Sequence, residues 1–168
     1  MKSINSLFRN LMGLLVFMFI SANVFAQTNF AGTWALNESK SNFGDSQFRR
    51  AASAMVVTQD AKLLTVESTR PGRDGVETKT TAKYNLDGSV SENAARNTTR
   101  KSTVSWSADK TTMTIASTMT MERDGQSMEM KSSETWKLAE AGKMLMVENV
   151  SAGMDGTERK TTAAYDKK

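Results

Sequence analysis

The 168-residue chain has no cysteine, no histidine and one proline, and only 7% of its residues are aromatic. Without cysteine no disulfide can staple the fold, so packing alone must hold it. The lack of cysteine and histidine also removes the usual zinc sites, cysteine nucleophiles and every triad that uses imidazole as its base. Any catalysis would fall to carboxylates, lysine or tyrosine. Beyond the first 26 residues there is no long apolar run either.

The N-terminal segment differs from the rest. Lys2 and Arg9 form a basic stretch, residues 11–20 are apolar apart from Gly13, and Val24 and Ala26 stand at the minus-three and minus-one positions before Gln27. That is the pattern of a cleavable secretory signal over residues 1–26. Its apolar part is shorter than the about 20 residues a membrane helix needs. Residues 27–168 are then expected to be one domain, exported to the periplasm or secreted, with no integral membrane span after cleavage. Removing Lys2 and Arg9 leaves 20 basic residues against 18 acidic ones, a net charge of +2 in place of +4. The basic residues alternate with Asp, Glu and Thr and do not cluster with aromatics, so no nucleic-acid footprint is present.

Residues 27–168 read as antiparallel strands. Met128, Met130, Ser132, Glu134, Trp136 and Leu138 share one parity, and Glu129, Lys131, Ser133, Thr135 and Lys137 the other. This is the pattern of a sheet with one buried face. Residues 63–85 align without gaps on residues 144–166, with 12 identities in 23 positions. Each copy is a strand, a turn at Asp74-Gly75 or Asp155-Gly156, and a return strand ending in Tyr84 or Tyr165. Asp-Gly supplies the positive backbone angles that tight hairpins need, and this turn chemistry accounts for the acids without a calcium or catalytic role. A weaker third copy runs through Asp124-Gly125. With residues 30–36, 55–58 and 99–106 added there are about nine strands, while 45–54 reads as a short helix or loop and 92–97 as a loop. An open sheet of that width would leave two edges and an apolar face uncovered. The expected fold is therefore an all-β, antiparallel up-and-down β-barrel of about 8–10 strands.

The stretch Phe30-x-Gly32-Thr33-Trp34-x-Leu36 followed by Ser41-Asn42-Phe43 resembles the first strand of the calycins, the lipocalins and intracellular fatty-acid-binding proteins. In those barrels a Gly-x-Trp packs its tryptophan against the closed end. The whole of residues 27–168 is also similar to a family of secreted bacterial lipocalin-like proteins that begin with Gly-Thr-Trp-x-Leu-Asn, here residues 32–37, and a Lys-Ser-x-Phe-Gly segment, here 40–44. The resemblance implies a lipocalin-like barrel. It does not carry over fatty-acid binding, because no two-helix lid follows the first strand, and Arg159 and Tyr165 are six residues apart where the carboxylate-gripping Arg-x-Tyr has two.

Strand parity places Val76, Thr78, Thr80, Ala82, Tyr84 and Leu86, and with them Thr157, Arg159, Thr161, Ala163 and Tyr165, on the inner face. An inward Arg159 near Glu134 would form a buried ion pair or anchor a ligand, since an unpaired buried charge is too costly to persist. The competing reading puts both at an open rim in water. Trp34, Trp106 and Trp136, with Tyr84 and Tyr165, fill or line the interior, plain core packing being the simpler account. Nine methionines follow the signal, six of them in the pairs Met119 and Met121, Met128 and Met130, Met144 and Met146. Thioethers suit Cu(I), so a copper site is physically admissible; an adaptable apolar lining or simple core is the alternative, and no metal site or cofactor is assigned. The repeat puts Met144 and Met146 on the outer face, as an exposed stripe for a partner.

The candidate ligand-binding interior is thus Trp34, Tyr84, Trp106, Met128, Met130, Glu134, Trp136, Arg159 and Tyr165. The function expected is non-enzymatic binding of a small apolar or amphipathic ligand. The alternative is a cell-envelope interaction or structural module with a filled barrel. An enzyme using Glu134, Arg159 or Tyr165 comes third.

Overall fold

The computed structural model describes residues 26–44, 51–72, 75–95, 97–123, 125–152 and 157–168. Residues 1–25 of the signal-like segment, residues 45–50 and the turn residues Asp74, Asp124 and Asp155 lie outside them. The described residues form ten strands: β1 (Gly32–Asn42), β2 (Ala54–Gln59), β3 (Leu63–Pro71), β4 (Glu77–Asn85), β5 (Ser91–Ala95), β6 (Thr98–Trp106), β7 (Thr112–Arg123), β8 (Gln126–Ala139), β9 (Met144–Ala152) and β10 (Glu158–Lys167). They make one sheet in the order β4-β3-β2-β1-β10-β9-β8-β7-β6-β5, all antiparallel and rolled into a nearly closed barrel. Among the described residues no helix is long and apolar enough to cross a membrane.

The two copies of the repeat fold identically in register. Leu64 faces Tyr84 in β3 and β4, and Leu145 faces Tyr165 in β9 and β10; Pro71 faces Glu77 as Ala152 faces Glu158. The hairpin of β7 and β8 is the third copy, closed by Arg123 opposite Gln126. Gly125 there has φ 77°, and Gly75 in the first copy has φ 80°, the left-handed backbone that only glycine adopts without strain.

One strand departs from the sequence reading. Residues 92–97 look like a loop because Ser-Glu-Asn-Ala-Ala has little strand propensity, yet Ser91–Ala95 forms β5 at the sheet edge, paired with β6 from Ser91 opposite Ser102 to Ala95 opposite Thr98. Its other edge meets β4, where side chains replace the backbone ladder. The Asn93 amide accepts from Lys83 N at 2.7 Å and donates to Lys83 O at 2.9 Å. The Ser91 hydroxyl accepts from Asn85 N at 2.7 Å, and the Asn85 amide donates to Val90 O at 3.1 Å. Asn93→Ala removes both bonds to Lys83 and is expected to lower stability by about 1–2 kcal/mol, with faster amide exchange confined to β4 and β5. Unchanged protection at Lys83 would show that the seam is held elsewhere.

The core fills one end of the barrel. Phe30, Trp34, Leu64, Met113 and Leu145 are fully buried, with Met55, Val57, Val66, Ile115, Trp136 and Tyr165 around them. Gly32 begins β1 at φ 153°, a backbone that glycine adopts without strain, two residues before Trp34; a Cβ there would come within 2.9 Å of Lys167 Cε, which the flexible end of that side chain can yield.

Candidate functional site

The interior changes in three layers from the closed end to the mouth. At the closed end residues 28–30 cross the barrel as a strap. Thr28 N donates to Lys110 O at 3.0 Å, Phe30 N donates to the Gln59 side-chain oxygen at 2.9 Å, and the Gln59 amide donates to Thr28 O at 2.9 Å. Phe30 is thereby pressed inward, stacked on Trp106 with ring centroids 6.0 Å apart and edge-on to Trp136 at 5.8 Å. Trp34 Nε1 donates to Phe30 O at 3.0 Å, and Lys167 lies over the Trp34 ring. The three tryptophans are therefore a plug. The Trp106 Nε1 is buried within it without a hydrogen-bond partner.

The middle layer is polar. Tyr84 and Tyr165 are 8% and 3% exposed. Burial pushes both hydroxyls up to about 12, and the Glu134 carboxylate adds to the effect. The Arg100 and Arg70 guanidiniums act in the opposite direction on Tyr84, and Arg70 does so on Tyr165. Two tyrosines on β4 and β10 thus both feel the charge of one half-buried carboxylate on β8. Glu134 accepts from Trp136 Nε1 at 3.3 Å. Buried Ser102 and half-buried Ser117 bond each other through their hydroxyls at 2.8 Å.

The mouth layer holds a cavity of about 60 Å³ lined by Arg100, Ser117, Met119, Met130, Ser132 and Ser151, with Thr118 and Lys131 at its edge. That is room for a few waters at most and well short of the roughly 300–1,000 Å³ of ordinary small-molecule pockets. A shallower groove of about 400 Å³ lies outside the closed end, between the strap residues Gln27 and Asn29 and the Gln59, Asp60 and Ala61 turn.

The structure brings together Trp34, Trp106, Trp136, Tyr84, Tyr165 and Glu134, and seats Met130 at the mouth with Met128 beyond it. Arg159 is different. It stands opposite Ser151 near the outer end of β10 and is solvent-exposed, because β10 runs past the rim and the inward parity no longer leads into a core. Glu134 faces Asn149, which in turn faces Thr161, so Arg159 is two strands away and one inward step nearer the rim. Of the two readings weighed from the sequence, Arg159 follows the one that puts it at the open rim, while Glu134 is half-buried and takes the Trp136 bond. Val76, Thr78, Thr80 and Thr157 are exposed for the same reason. The outer methionine stripe is also corrected: Met144 is 4% exposed and Met146 half-buried. Sequence reasoning missed Arg100, which is half-buried and lines the mouth cavity. The signal was available, since Arg100 shares parity with the buried Ser102 and Val104.

No protein-family profile matches the chain, and no curated protein matches it in sequence. Among solved structures it is similar to zebrafish ileal bile acid-binding protein in complex with cholic acid. The two align over 84% of this chain and the whole of the other at a TM-score of 0.52, with 14% identity. The fold is calycin-like. At that identity the likeness speaks for the architecture alone.

Proposed function

We propose that this is an exported, non-enzymatic calycin-like protein that holds a small amphipathic molecule at the open half of its barrel. The observation that carries the reading is the middle layer. A barrel required only to be stable would fill this level with aliphatic side chains, because a buried polar group costs free energy unless it is paired. Here two tyrosines, a glutamate and the half-buried Arg100 lie above an aromatic plug and below a methionine-lined mouth. A ligand's polar group would meet Arg100, Tyr84 and Glu134, and its apolar part would lie along Met119 and Met130. The bile acid named for the solved neighbour is an amphiphile of that kind. A catalytic reading is disfavoured by the chain's lack of histidine and cysteine and by tyrosine hydroxyls driven away from neutral pH, where a general base must work.

The small cavity favours a second reading, a cell-envelope interaction module with a filled barrel. Native mass spectrometry of the protein purified from its own envelope, followed by titration with cholate and with a long-chain fatty acid, separates the two. The ligand reading expects a stoichiometric mass shift, quenching of the tryptophan emission, and affinity about tenfold weaker in Arg100→Ala, the loss of one charged hydrogen bond. An unliganded mass with no response to either amphiphile overturns it in favour of the filled barrel.

A further inference from the structure

We propose that the β7–β8 hairpin binds a soft monovalent metal ion, Cu(I), through the thioethers of Met119, Met121, Met128 and Met130. The strand register carries this. Met119 stands directly opposite Met130, and Met121 directly opposite Met128. Directly opposed residues of an antiparallel pair have Cβ atoms about 4.5–5.5 Å apart, and residues two apart on one strand share a face. All four side chains therefore leave the same face of one hairpin, the face that carries Trp136 into the core farther down. Thioethers on three-bond arms converge easily from such a patch.

These methionines do not serve the core. Met55, Met113 and Met144 are nearly or fully buried, whereas Met119, Met121 and Met130 are half-buried, Met128 is 38% exposed, and none of the four belongs to the core cluster. Large apolar side chains left partly open to water on a hairpin otherwise rich in Ser and Thr need a reason other than packing. A metal supplies one of the right chemistry, because thioether sulfur prefers Cu(I) over hard or borderline cations. Among the described residues no group of three His, Cys, Asp or Glu is placed to hold an ion, so those harder cations find no competing cage there.

Local charge positions the ion within the cluster. Arg100 pairs with Met119 across β6, so a cation is repelled from the inner pair. Met121 and Met128 lie two residues farther out along the hairpin. The site is centred on the outer pair, with Met130 and Met119 completing the set.

The test uses protein carrying ¹³C-methyl methionine, with Ag(I) as a redox-inert stand-in and Cu(I) kept reduced by ascorbate in competition with a chromophoric chelator. One equivalent of Ag(I) is expected to shift the methyl signals of Met119, Met121, Met128 and Met130, leaving Met55, Met113 and Met144 in place, while Zn(II) shifts none. Met121→Leu/Met128→Leu keeps the apolar volume and should lose stoichiometric Cu(I) retention with an unchanged melting temperature. Met146→Leu should retain it. Unmoved methyls at one equivalent, equal shifts across all methionines, or wild-type retention by the double variant would each overturn the proposal. The outcome does not depend on whether an amphiphile binds.

Discussion

Trp34→Ala is expected to destabilise the protein by about 3–5 kcal/mol in urea unfolding, the cost of emptying a fully buried tryptophan site. Three losses combine there. The indole fills the closed end beside Phe30, its Nε1 satisfies the Phe30 carbonyl, and its ring carries the Lys167 ammonium. Because small domains are stable by only about 5–15 kcal/mol, this single change removes a large share of the total. Trp34→Phe separates the terms: it keeps an aromatic ring but abandons the carbonyl, and should cost about 1–3 kcal/mol. The other two tryptophans report unfolding in both variants. A Trp34→Ala protein as stable as the parent would mean that the strap, and not the tryptophan, closes the barrel.

The second large effect is alkaline. The chain has only two tyrosines, and both hydroxyls are raised from 10.0 to about 12 in the folded state. A raised folded-state value means that the native protein holds these protons more tightly than the unfolded chain. The stabilisation is therefore complete below pH 10 and is lost as pH climbs from 10 to 12. Two units correspond to on the order of 2–3 kcal/mol per tyrosine. Ultraviolet titration should show no tyrosinate at pH 10 in the native protein and half-ionisation in urea, with unfolding free energy falling steeply over the next two units. Glu134→Gln removes the nearby charge and should lower both midpoints while leaving burial, the larger cause, in place. Native tyrosines that titrate at their ordinary value would show that the middle layer is open to water.

Much of the fold is legible in the sequence because it is made of hairpins, and hairpins are local. Asp-Gly turns, period-two alternation and a repeat that places Leu64 and Leu145 opposite Tyr84 and Tyr165 depend on neighbours within about twenty residues. The features that escaped depend on the whole barrel. β5 has no propensity of its own and exists because β6 pairs one edge while Asn93 and Ser91 tie the other. Arg159 keeps the inward parity, yet parity carries no information about where the rim cuts the strand. Met144 belongs to the outer face, and alternation alone did not reveal its burial. The candidate site divides along the same line. Its aromatic plug follows from residue type, whereas the placing of Tyr84 and Tyr165 within the field of Glu134, from three different strands, follows only from closure.

Closure itself has a temporal side. Among the described residues eight of the nine ladders join strands consecutive in the chain, and only β1 with β10 joins distant ones, Trp34 opposite Lys167, with Lys168 N donating to Thr33 O at 2.9 Å. A chain emerging N-terminus first can zip hairpin after hairpin as it appears, since short loops cost little entropy to close. Its first strand must nonetheless wait, with one edge bare and Trp34 lacking its lid, until β10 arrives. During that interval the barrel is a curled ribbon with an adhesive leading edge, and the strand that completes it is the last one made.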